Sequence, residues 1–166
     1  MNDSSPHIDR IVAFLMSIGI EARPAALPEG TFLPGVKVAG GALVFDRARV
    51  WPGDLLHEAG HIAVTPAAER DALEGDVDTE GEAASNGEVE AIAWSFAAAR
   101  HIGLPLELLF HPEGYRGRAQ ALLLSYRIGV YPGAYGLSRI GLTRTETDAA
   151  QQGGAPYPHM TRWLRE

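Results

Sequence analysis

The sequence predicts an α+β fold, mostly helical, with a small antiparallel sheet or hairpin packed on a central helix. Three observations carry this. Apolar residues recur at helical spacing over residues 6–18, 52–64 and 88–102. Two β-rich runs, Val36 to Ala39 and Ala42 to Phe45, flank Gly40-Gly41 and signal a hairpin. The chain of 166 residues, 46% apolar and 21% charged, is long enough for one domain with a real core, so residues 1–166 are read as a single domain.

The elements follow in order. Ser4-Ser5-Pro6 reads as a helix start, and Ile8, Ile11, Val12, Leu15 and Met16 mark its apolar face. Gly19 ends it, and residues 20–35 are irregular, with a short strand near Ile20. After the hairpin, Trp51-Pro52-Gly53-Asp54 breaks the strand pattern, and Pro52 or Asp54 opens a helix that runs to about Val64, where Pro66 stops it. Residues 66–87 carry acids, Gly, Ser and Asn with little periodicity, so they read as a mobile connection. A helix from Glu88 to Ile102 is closed by Gly103 and Pro105. Another spans about Arg116 to Ile128, and a short one is expected around Leu137. Residues 143–158 read as a loop, and the final segment is expected to dock through Trp163 and Leu164.

Composition narrows the chemistry. With no cysteine, thiol catalysis and Cys-ligated metals are excluded, so a metal site must use His, Asp and Glu. A net charge of -7 argues against nucleic acid as a partner. No apolar run has the roughly 20 residues of a membrane span, and the acidic N-terminus does not resemble a secretory signal. The expectation is a cytoplasmic protein with no membrane partner. The sequence does not speak to oligomeric state.

The informative residues are His57-Glu58-Ala59-Gly60-His61, an H-E-x-x-H on a helix. Four residues span about 400° of helix, so the two imidazoles stack on one face, a turn apart, where both can grip one ion. Glu58 lies about 100° round, within reach of a metal-bound water without being a ligand, as a general base requires. Zinc needs a third protein ligand to leave one position open. A downstream carboxylate is favoured, and Glu88 and Glu90 both open the next helix.

HEAGH, followed by a helix of pattern Glu90, Ala93, Phe96, Ala97, resembles the gluzincin branch of zincin metallopeptidases, and within it the ImmA/IrrE-type family. Trp94 stands where a small polar residue is usual in that pattern. The resemblance covers about residues 36–100. It implies a zincin-like domain, with the hairpin supplying a substrate-binding edge strand before the active-site helix. It also implies a Zn2+ cofactor held by His57, His61 and Glu90, with Glu58 as general base in hydrolysis of a peptide or protein substrate.

Glu90 is preferred to Glu88 on helical grounds as well. It shares a face with Ala93, Trp94 and Ala97, whereas Ile92 crowds the face of Glu88. Glu82 lies in the acidic stretch with little preorganisation. Such sites often add a group that steadies the oxyanion, for which Tyr115, Tyr126, Tyr131, Tyr135, Tyr157, His111 and His159 are candidates that sequence does not separate. Two other readings compete. One is a metal-binding regulatory or interaction module with little or no activity. The other is a non-haem iron enzyme, in which Glu58 would have no task.

Overall fold

The computed structural model describes residues 5–31, 33–75 and 87–166. It is an α+β structure, about half helical, with a mixed four-stranded sheet. Helix α1 (Ser5–Ser17) comes first, followed by strands β1 (Ala22–Pro24), β2 (Val36–Ala39) and β3 (Ala42–Phe45). Helix α2 (Pro52–Val64), the short helix α3 (Ala67–Arg70) and strand β4 (Glu74–Gly75) lead to α4 (Glu88–Ile102). Then come α5 (Leu106–Leu109), a single 3-10 turn at Tyr115–Gly117, α6 (Ala119–Arg127), α7 (Ala134–Arg139) and α8 (Glu146–Gln152).

The hairpin forms where the two glycines require it. Gly40 and Gly41 have φ of +58° and +69°, the left-handed pair that lets two strands join through two residues. In the register this sets, Val36 faces Phe45 and Val38 faces Leu43, and all four side chains are buried. The sheet order is β1-β3-β2-β4. β1 runs parallel to β3, so the sheet is mixed rather than antiparallel. The expected edge strand is also partly covered, because Glu74 and Gly75 pair with Ala39 and Val38 of β2.

Helix α2 occupies the centre. All thirteen of its residues are buried. It packs on β2 and β3, on α1, and on α4 and α5. A helix buried on every side should be apolar all round, yet this one carries Asp54, His57, Glu58 and His61. Its closest neighbour is α4. A Cβ at Gly60 would stand 2.6 Å from the Ala91 carbonyl oxygen and 3.0 Å from Ser95 Oγ. The Ser95 hydroxyl donates to the Ala91 carbonyl at 2.7 Å, and the Leu56 carbonyl lies 3.2 Å away. Gly60, Ala91 and Ser95 therefore form a backbone-close crossing.

The C-terminal segment docks as the sequence suggests. Trp94 is fully buried and its indole N–H donates to the Trp163 carbonyl at 2.9 Å. The Trp163 ring meets Phe14 edge-on at 4.9 Å. Arg165 donates its backbone N–H to Ala63 at the end of α2.

Several expectations need correction. Residues 66–87 contain α3 and β4, held by the Arg70 guanidinium, which donates to the Ile62 and Thr65 carbonyls. Residues 76–86 of that stretch lie outside the described residues, as do Ser4 at the expected first cap and Glu82. The loop at 143–158 contains α8, started by a capping box in which Thr145 and Asp148 bond reciprocally. The helix expected from Arg116 begins only at Ala119, because Tyr115 and Arg116 adopt positive φ.

The crossing generates a prediction. Gly60→Ala gains about 1 kcal/mol of helix propensity, but its methyl must displace a backbone carbonyl, a change costing about 1–3 kcal/mol. Urea denaturation should show a net loss of stability. Metal affinity should fall with it, because α4 is pushed away from the histidines.

Candidate metal centre

The first residue of α4 meets the histidines. Gly87 precedes it with φ of 129°, and the chain enters the helix beside α2. Glu88 lies one turn before Ala91 and two before Ser95, on the stripe that packs against Gly60. Its carboxylate reaches His61 Nε2 at 3.1 Å and His57 Nε2 at 3.5 Å, through different oxygens. The two Nε2 atoms stand 3.2 Å apart. Among the described residues, His57, His61 and Glu88 are the group whose ligand atoms all lie within 4.8 Å of one another.

These distances fit a shared ion. Ligands at about 2.0–2.1 Å in a tetrahedron stand roughly 3.3–3.4 Å apart, and the observed separations bracket that value. Both imidazoles are buried and the carboxylate is half-buried, so the donor set is shielded on a rigid pair of helices.

The structure brings Glu88 to the histidines and places Glu90 elsewhere. The Glu90 carboxylate faces α7, where it overlies Gly136 so closely that a Cβ there would collide with it. The small residues of the Glu90 face do permit a close approach, but to other partners. The Ala93 carbonyl accepts the Tyr157 hydroxyl, and Trp94 holds the C-terminal segment. Ile92, the residue that argued against Glu88, is buried in the core and leaves the Ala91–Ser95 stripe free to cross α2. The overlooked signal was Gly60 inside the motif. A glycine on a buried helix marks where the partner helix comes closest, and small residues three and seven positions after Glu88 answer it.

The electrostatics of the group follow from its geometry. Burial opposes charge on Glu88, but hydrogen bonds from His57 and His61 outweigh it and hold the carboxyl well below the usual carboxylate range. Burial likewise opposes charge on His57, and Glu88, Glu58 and Asp54 together overcome it and raise that imidazole above its ordinary value. Glu58 is buried beside its neighbour His57 on the same helix. Three acids thus act on His57, and one of them also meets His61.

Of the oxyanion candidates, one reaches the histidines. The Tyr115 ring packs edge-on to His57 at 5.2 Å, and its hydroxyl is buried without a hydrogen-bond partner. Burial, followed by the charges of Asp54 and Glu88, pushes this phenol well above its ordinary pKa, so it remains a neutral donor. Tyr126 and Tyr157 spend their hydroxyls on the carbonyls of Pro132 and Ala93. Tyr131 packs among Phe96, Tyr126 and Tyr157. Tyr135 and His159 are exposed. His111 is bonded to Asp54 at 2.8 Å.

The chain matches no protein-family profile, no curated protein and no solved structure. No helix among the described residues is long and apolar enough to cross a membrane.

The geometry separates two neighbouring acids. Glu88→Ala should lower zinc affinity by more than the 10–100-fold typical of losing a group that merely supports a ligand. Glu90→Ala should leave affinity within a few-fold of the parent. Competition titration against a chromogenic chelator reads both.

Proposed function

We propose that the chain is a zinc-dependent peptidase that hydrolyses peptide bonds, with His57, His61 and Glu88 as ligands and Glu58 as general base. The observation that carries this reading is the joint placement of three converging ligand atoms and a fourth, non-ligating carboxylate on one buried helix pair. A zincin-like arrangement of the kind the HEAGH motif resembles would use these groups in the same way. An iron site of two histidines and one carboxylate has no role for Glu58, and retaining a buried acid without a task would be costly.

When bound, the ion would supply Lewis acidity, lowering the pKa of a water towards about 7 and polarising the scissile carbonyl. The protein groups do the rest. Glu58 takes the proton of the attacking water and passes it to the departing amine. The Tyr115 hydroxyl, neutral and without a partner inside the protein, donates to the carbonyl oxygen as negative charge develops there. Phe110 packs on the Tyr115 ring at 5.4 Å and backs it where it meets His57.

The test is a digest of a quenched peptide library by the zinc-loaded protein, with a chelated control restored by added zinc. Glu58→Gln should retain one zinc per chain and the parent's fold while losing about 10²–10⁴-fold in turnover. Activity that survives Glu58→Gln contradicts the mechanism. Tyr115→Phe should lower kcat by about 10²–10³-fold with little change in KM, because its hydrogen bond forms as charge develops.

A further inference from the structure

A second buried polar pair lies beside the metal group and takes no part in holding an ion. Asp54 and His111 are both more than nine-tenths buried, and His111 Nε2 stands 2.8 Å from Asp54 Oδ1. Asp54 lies on α2 one turn before His57. His111 lies in the connection between α5 and α6, four residues before Tyr115. One face of the His111 ring packs on Trp51 at 4.9 Å. Gly114 lies against the same ring, so closely that a Cβ there would come within 2.9 Å of Nε2. The Gly114 N–H donates back to the His111 carbonyl at 3.0 Å, closing the turn that delivers Tyr115.

That turn is not one the local sequence favours. Tyr115 and Arg116 both sit in the left-handed region, with φ of 55° and 52°. Such a conformation is unfavourable for a residue with a side chain and persists only where tertiary contacts over-determine it. Burying an acid and an imidazole is also a poor route to stability, since an apolar pair of similar volume would serve at least as well. Two local costs meet at one place, beside the ring that packs on His57.

We infer that Asp54 and His111 are positioning residues: their hydrogen bond latches the 111–117 turn onto α2 and so holds the Tyr115 phenol against the metal histidines. His111 thus acts through Tyr115 and does not itself meet the substrate. The catalytic meaning of the latch rests on the peptidase reading, but the placement of the ring does not, and the two are tested separately.

The experiment follows the histidine ring resonances of metal-free protein by NMR, on the alkaline plateau where the imidazoles are neutral. The Tyr115 ring, 5.2 Å from that of His57, should impose a ring-current shift on the His57 ring C–H signals. Tyr115→Leu defines the signal's position without it. His111→Leu should carry the His57 signal most of the way to that position and raise amide exchange at residues 115–117 at least tenfold. His111→Gln, whose amide can donate to Asp54 in place of Nε2, should hold both readouts near the parent's. If His111→Leu does not fold, Asp54→Leu is read against Tyr115→Leu in the same way. The latch is overturned if Tyr115→Leu leaves the His57 signal in place, or if that signal ignores loss of His111 or Asp54. It is overturned equally if His111→Gln behaves like His111→Leu. Where hydrolysis is measurable, the cost of Tyr115→Phe should vanish in the His111→Leu background. Absence of hydrolysis in every variant would contradict the peptidase reading while leaving the ring measurement to decide the latch.

Discussion

The crossing of α2 and α4 at Gly60 and Ala91 is the constraint on which the rest depends. A helix pair separated by ordinary side chains runs 8–10 Å apart. Here a missing side chain on one helix and a methyl on the other bring backbone atoms nearly into contact. That closeness carries the first turn of α4 to the histidines, so a carboxylate as short as that of Glu88 reaches both Nε2 atoms. With a larger residue at position 60 the same side chains would exist, but the three ligand atoms would not converge.

The crossing also explains how the fold tolerates four ionisable groups on a fully buried helix. An unpaired buried charge would shift its pKa or unfold the site. Each of these groups instead lies near an opposite one. Glu88 answers His57 and His61, Glu58 interacts with the charge of His57, and Asp54 answers His111. The apolar core around them, from Ile11 and Leu15 of α1 through Leu43 and Phe45 of β3 to Trp94 of α4, supplies the rigidity.

The parts of this arrangement written in local chemistry were legible in the sequence. The hairpin bounds, α2 and α4 follow directly from Gly40-Gly41, from Pro52 and Pro66, and from the apolar run ended by Gly103. The histidine pair followed from a spacing of four on a helix. Which helix face meets which neighbour is not written in local chemistry. Choosing Glu90 required knowing where α7 lies, and nothing local announces that Gly136 receives its carboxylate. Tyr115 could be named but not chosen among seven candidates, since its position depends on two left-handed residues that no propensity favours. Helix α8 was missed for a different reason. Its Thr145–Asp148 box is a readable start, but it is short and largely exposed, with little apolar periodicity to extend the signal.

The central claim is that one ion sits between His57, His61 and Glu88. Zinc-edge anomalous diffraction from crystals of the zinc-loaded protein tests it most directly. A single strong peak per chain is expected, about 2.0–2.2 Å from Nε2 of His57, Nε2 of His61 and a carboxylate oxygen of Glu88, with Glu58 nearby but outside ligand distance. A peak bonded to Glu90 in place of Glu88, a peak away from His57, or no peak at all would contradict it.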